Sequence, residues 1–132
     1  MTFYLCKEPS GMFRLCINKP HKRKNYWCPI NDYYFNVSGA FNSFPEITTN
    51  QLIQINVEFT CGNAQYVTVD KNKLYHIWFN EPKHYSIQNS KTNTHNEFWD
   101  GGKMFMVCPE TFGKELFPNV NINNFICIEL IF

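Results

Sequence analysis

The chain has no long apolar run. Nowhere in its 132 residues does a stretch approach the ~18 consecutive apolar residues of a membrane-spanning helix, so no membrane partner is expected. Charge is also scarce: Asp, Glu, Lys and Arg make up 17% of the chain and leave a formal net charge of +1. That balance excludes a broad field for extended nucleic acid, and equally an acidic surface imitating one. No basic start followed by an apolar run and a small-residue cleavage site is present, because Phe3-Tyr4-Leu5-Cys6 is interrupted at once by Lys7-Glu8-Pro9. A cytosolic protein is expected. Glycines number six, and none builds a phosphate-cradling loop after a strand; Gly101-Gly102 reads as a turn. The six cysteines include no Cys-x-x-Cys pair, which argues against zinc. No Ser-His-Asp or Cys-His arrangement has local support. The expectation is a protein without catalytic activity, cofactor or metal.

What the chain does have is aromatic side chains, 17% of residues including 13 Phe. An exposed interface or a lined pocket would account for this excess, and so would a codon bias favouring Phe, Tyr, Asn, Lys and Ile together. The apolar fraction of 44% places the chain among globular proteins rather than disordered ones.

The sequence also reads as the same statement made twice. Moving residues 1–59 forward by 72 positions sets Phe3 on Tyr75, Leu5 on Ile77, Phe13 on Tyr85, Leu15 on Ile87 and Trp27 on Trp99. One further residue of slack sets Phe44-Pro45 on Phe117-Pro118, Asn50 on Asn123, and Ile53, Ile55 and Val57 on Ile126, Ile128 and Leu130. A fixed period of this kind points to two copies of one supersecondary unit. In this register no cysteine recurs, so none is expected to staple the unit, and buried free thiols are the preferred reading.

Short β-branched and aromatic runs broken by turn residues predict strands. In the first copy these are Thr2–Lys7, Met12–Asn18, Tyr26–Pro29, Asp32–Val37 and Leu52–Thr60. In the second they are Lys73–Asn80, His84–Asn89, Phe98–Asp100, Lys103–Cys108 and Phe125–Phe132. Tyr66–Val69 is expected to pair with Leu74–Phe79, and Pro109–Asn123 to hold one brief helix, with Pro109 at its start and Glu110 at the positive end of its dipole. The predicted fold is all-β or β-dominated: two tandem copies of a small antiparallel unit, 1–60 and 74–132, joined by a connector at 61–73. They are expected to pack as one compact domain about a pseudo-two-fold axis, with at most one or two short helices.

Tyr4-Leu5-Cys6-Lys7, Gly11, Lys19-Pro20, Trp27 and Phe44-Pro45-Glu46-Ile47 follow one another in an order that resembles short uncharacterised bacterial and phage proteins. The resemblance spans residues 3–59, and reaches 74–132 only through Trp99, Leu116-Phe117-Pro118 and the last strand. It implies a small accessory gene of a phage or mobile element.

One charge run stands out, Lys19-Pro20-His21-Lys22-Arg23-Lys24, followed by Asn25-Tyr26-Trp27. Cations beside aromatics grip a phosphate while a base stacks on the ring. Its counterpart, Lys91-Thr92-Asn93-Thr94-His95-Asn96, is nearly uncharged, so the run is not required by the fold. It is a solvated loop or a site, and His21, Lys22, Arg23, Lys24 and Tyr26 are the candidate ligand residues. Trp27 and Trp99 recur and are assigned to packing, as are the rigid corners Phe44-Pro45 and Phe117-Pro118. His76 and His84, facing across a hairpin with Glu81 and Asp100 nearby, form the weaker metal candidate. Two functions are expected in competition. One is sequestration of a small anionic, nucleotide-type ligand as a phage-type counter-defence protein; the other is a module that blocks or recruits a host protein through an aromatic sheet surface. A homo-oligomer is compatible with both.

Overall fold

The computed structural model describes residues 1–38, 41–102 and 105–132. The chain is β-dominated, with twelve strands and one short helix among the described residues. The strands are β1 (Thr2–Lys7), β2 (Phe13–Cys16), β3 (His21–Arg23), β4 (Tyr26–Cys28), β5 (Tyr34–Val37), β6 (Ile53–Asn56), β7 (Glu58–Val69), β8 (Tyr75–Trp78), β9 (Lys83–Asn89), β10 (Thr94–Asp100), β11 (Phe105–Cys108) and β12 (Ile126–Ile131); helix α1 is Glu110–Leu116. The first two residues of the expected strand Lys103–Cys108 lie outside the described residues, as do two residues of the expected connection 38–50.

Eight strands form one antiparallel sheet in the order β12-β7-β8-β11-β5-β2-β1-β6, while β3–β4 and β9–β10 are separate two-stranded ribbons. Only Val57 separates β6, at one edge, from β7, which lies next to the opposite edge. The sheet must therefore curl. The bend is held by the Met1 and Val57 backbones, each bonded to the other's carbonyl at 3.0 and 2.9 Å. Inside the curl, alternate residues such as Phe3, Leu5, Leu15, Phe35, Val67, Ile77 and Met106 are completely buried. Phe112 of α1 plugs this core, with its ring centroid 5.1 Å from Phe35. Burying each such side chain contributes about 1.5–3 kcal/mol. The helix seats closely because residue 113 is glycine: a Cβ there would lie 2.2 Å from the Tyr75 ring.

Read inward from each edge, the sheet runs β6-β1-β2-β5 and β12-β7-β8-β11. The chain traverses the two sets in the same order: inner pair, ribbon, central strand, edge strand. The pairing register agrees as well. Leu5 faces Leu15 and Ile53, and Leu15 faces Phe35; Val67 faces Ile77 and Ile126, and Ile77 faces Met106. The turns match too. Glu8 N–H donates to Met12 and Gly11 N–H to Glu8, while Asp70 N–H donates to Leu74 and Lys73 N–H to Asp70. Gly11 and Lys73 both carry positive φ, 90° and 64°.

These equivalences correct the 72-residue register over the first two strands. β1 corresponds to β7, not β8, and β2 to β8, not β9. The expected hairpin between β8 and β9 does not form; β8 pairs with β7 and β11, as the reading of Tyr66–Val69 anticipated for one side. The cause is length. The first ribbon occupies 21–28 and the second 83–100, ten residues more. A shift of ten preserves the period-two alternation of a strand, so apolar residues of the wrong strands matched. Beyond the ribbons the expected register, which also sets Phe35 on Val107, holds for the Phe-Pro corner and the last strand but slips by one over the central strand, where Phe35 corresponds to Met106: Leu15 faces the one and Ile77 the other. Trp27 and Trp99 occupy the same place, and Phe44 and Phe117 are both buried. β7 runs unbroken from Glu58 to Val69, through residues 61–69 of the expected connector.

Candidate functional site: the basic ribbon

The β3–β4 ribbon, here arm 1, pairs His21 with Cys28, Lys22 with Trp27 and Arg23 with Tyr26. Strand alternation therefore divides the candidate residues between two faces. Lys22 and Trp27 share the face turned to the body. Trp27 is buried, and its indole N–H donates to the Thr49 carbonyl at 2.9 Å. The Lys22 ammonium lies 4.8 Å from the Trp27 ring centroid and donates to Thr49 O and Asn50 Oδ1 at 2.9 and 3.2 Å. Lys22 is thus a clamp on the ribbon rather than a free cation. His21, Arg23 and Tyr26 share the outward face and are exposed, with Lys24 exposed at the turn. Among the described residues, Lys19, Arg23 and Lys24 have no carboxylate within 4 Å. The basic character of the outward face is therefore uncompensated.

Arg14 ties arm 1 to the sheet. Its guanidinium meets Glu8, donates to Asn36 Oδ1 at 3.1 Å and to the Trp27 carbonyl at 3.2 Å, and lies over the Tyr34 ring. Beneath the arm, Cys6 and Cys16 are fully buried free thiols. A hydrogen bond from Cys16 holds Cys6 below the usual thiol range, helped by the Arg14 charge and opposed by burial. Cys16 is raised by that same bond and by burial. Burial alone pushes Cys108 up to about 12. Raised in this way, Cys16 and Cys108 behave as small apolar groups.

The β9–β10 ribbon, arm 2, repeats the anchor with different chemistry outside. Trp99 donates its indole N–H to the Ile122 carbonyl at 3.0 Å, and His84, not a lysine, packs edge-on against the ring at 4.9 Å. The anchoring loops also match: Thr48, Asn50 and Gln51 make the bonds that Asn121, Asn123 and Asn124 make in the other half. On its outward face arm 2 carries Tyr85 stacked on Phe98 at 5.3 Å and 20°, beside Ile87, which is 55% exposed.

The histidine candidates are not brought together. His76 Nε2 lies 3.0 Å from Asp70 Oδ2, on the strand that pairs with β7 and β11, whereas His84 is on arm 2 against Trp99. Asp100 is engaged by the Gly102 N–H. Among the described residues no three His, Cys, Asp or Glu side chains gather as a metal site. Ser86, His95 and Glu97 do lie together on arm 2. Both Ser86 Oγ (3.2 Å) and Glu97 Oε1 (3.3 Å) approach the same atom, His95 Nε2. A catalytic triad needs one partner on each ring nitrogen, so this cluster is not arranged as one.

A cavity of about 140 Å³ lies under arm 2, lined by Asp70, Lys71, His84, His95, Glu97 and Trp99. A larger open groove of about 480 Å³ is lined by Lys7, Gly11, Met12, Asn36, Val37 and Phe105. None of His21, Lys22, Arg23, Lys24 and Tyr26 borders either space. The division of the basic run into a clamp and an outward face was not legible in the sequence. The alternation of β3 was there to be read, but which face meets the body depends on the Thr49 loop. No protein-family model matches the chain, and neither a curated protein nor a solved structure matches it.

Proposed function

We propose that this is a non-catalytic binding protein that takes a small anionic, nucleotide-type ligand on the outward face of arm 1. The observation carrying this reading is the uncompensated cationic face beside an exposed ring. Arg23 and Lys24 have no ion-pair partner among the described residues, and Tyr26, 45% exposed, stands opposite Arg23 in the ribbon. The planar guanidinium suits a phosphate bidentately, the ammonium adds a point charge, and the phenol ring offers a stacking face to a base. His21, next along the same face, adds a further donor. The resemblance to phage accessory proteins makes sequestration of a nucleotide immune signal the most specific form of the reading.

Isothermal titration against a panel of cyclic and linear nucleotides tests it. Binding is expected to weaken with added salt, since exposed charges are screened. Arg23→Ala with Lys24→Ala is expected to cost at least about tenfold in affinity, about 1.4 kcal/mol. Absence of binding across the panel by the wild-type chain would overturn the proposal. The second reading, a module that engages a host protein, is favoured by one feature, the exposed Tyr85 and Ile87 on the outward side of arm 2. Co-purification of a single host protein, lost on changing Ile87, would support it.

A further inference from the structure

The two anchoring tryptophans differ in what lies over their rings. In arm 1 the Lys22 ammonium fills the place between ring and loop, 4.8 Å from the Trp27 centroid, and donates to the Thr49 carbonyl and to Asn50 Oδ1. Arm 2 repeats this frame without the cation. Trp99 stands for Trp27 and Ile122 for Thr49, and the indole again donates to the loop carbonyl at 3.0 Å. The position of Lys22, across the ribbon from the tryptophan, is taken by His84. An imidazole is shorter than a lysine chain. The His84 ring reaches the edge of Trp99 at 4.9 Å, and among the described residues it makes no hydrogen bond to the Ile122 carbonyl. What remains is the cavity of about 140 Å³, bordered by His84, Trp99 and Ile122 together. Trp99 is accordingly half-buried where Trp27 is buried.

The hydrogen-bonding and the charge of this cavity both ask for a cation. A carbonyl has two lone pairs. Thr49 uses both, for Trp27 and Lys22, whereas the Ile122 carbonyl receives only Trp99 among the described residues. Two carboxylates, Asp70 and Glu97, line the space, against Lys71 as its one lysine or arginine. Among the described residues neither carboxylate has a lysine or arginine within 4 Å: Asp70 meets His76 and Glu97 meets His95. Elsewhere Glu8 takes Arg14 and Glu110 takes Lys114. We infer that the cavity under arm 2 binds a small primary alkylammonium ligand, whose charged end takes over Trp99 the place that Lys22 takes over Trp27. The ammonium is drawn to the indole face, which is the strongest of the aromatic rings for a cation. Its N–H groups donate to the Ile122 carbonyl and to Glu97, and its short chain rests against the Ile122 side chain. At about 30 Å³ for each water-sized group, the space admits roughly five heavy atoms, as in a four-carbon amine.

This inference does not rest on the arm 1 reading, which concerns anions. Nuclear magnetic resonance of the ¹⁵N-labelled full chain tests it, with n-butylamine as the probe and n-butanol as its neutral match. The chain has three indole N–H signals, and that of Trp99 is identified by its loss in Trp99→Phe. It is expected to shift saturably with n-butylamine, while those of Trp27 and Trp78 stay in place. n-Butanol should bind at least about tenfold more weakly. His84→Lys supplies the ammonium from the chain itself, as arm 1 does, and should weaken the amine by at least about tenfold. Glu97→Gln should weaken it severalfold. Both positions are exposed, so both variants should keep the wild-type circular dichroism spectrum; should His84→Lys fail to fold, Glu97→Gln decides. Absence of a saturable shift at Trp99 overturns the inference. So does an equal response to amine and alcohol, or an affinity unchanged in the folded variants.

Discussion

Arm 1 and arm 2 hold the same place in their halves and are pinned in the same way, yet they present opposite chemistry to solvent. Each is anchored by a tryptophan whose N–H reaches a loop carbonyl, and each tryptophan is capped by the residue paired with it across the ribbon. Outside, one arm is cationic and the other aromatic. The fold demands the inward residues, because they make the contacts that hold each arm to the body. It demands nothing of the outward residues, so those are where function is free to differ. The same contrast recurs on the sheet. Glu8 and Arg14 occupy the positions of Asp70 and His76, and both pairs are in contact. Cys6 and Cys16 stand where Thr68 and Trp78 make a buried hydrogen bond of 2.9 Å.

The largest break in this comparison should come from the anchors. Trp27→Ala is expected to destabilise the chain by about 3–5 kcal/mol in urea unfolding, since a buried indole leaves a cavity. Trp99→Ala should cost less, because Trp99 is only half-buried. Equal losses would mean that the two anchors do equal work despite their different depths. Next in size is Arg14→Ala, which leaves Asn36 and Glu8 without their donor; about 2–3 kcal/mol is expected by the same measurement. His76→Ala should cost less, because among the described residues its ring bonds to Asp70 alone and its Nδ1 has no partner. A smaller effect is expected for Lys22→Ala, about 0.5–1 kcal/mol from a cation over an indole. Nucleotide affinity should change less in that variant than in Arg23→Ala, and titration of both separates the clamp from the outward face.

The smallest effect concerns α1, for which the first half shows no equivalent among the described residues. A hydrogen bond and the positive charge of Lys114 hold the Glu110 carboxyl below its ordinary value. The folded value is the lower one. The contact therefore supports the fold above the ordinary carboxylate range, and this support is lost as pH falls through the lowered value. Glu110→Gln should flatten that part of a stability–pH profile, read by thermal melts between neutral and acid pH.

Much of the fold was legible because strands announce themselves locally. β1, β2, β5 and β11, the Phe-Pro corners, the brief helix before Leu116 and the pairing of Tyr66–Val69 with the following strand all follow from alternation and turn chemistry. The candidate residues were legible as a charged run beside aromatics. What was not legible was which of them remain free, since Lys22 is bound by a loop distant in sequence. The outward placement of Tyr85 and Ile87 was hidden for the same reason: His84–Asn89 reads as an ordinary alternating strand until one knows which side faces the body.

The sequence by itself determined that this is a β-dominated chain with recurring tryptophan and Phe-Pro positions and one basic stretch, because those features depend on neighbours a few residues away. Only the tertiary structure decided which strands are partners and which face of each ribbon meets water. A strand's edges bond equally well to many others, and its alternation survives any shift by an even number of residues. The choice is made by contacts between residues far apart along the chain.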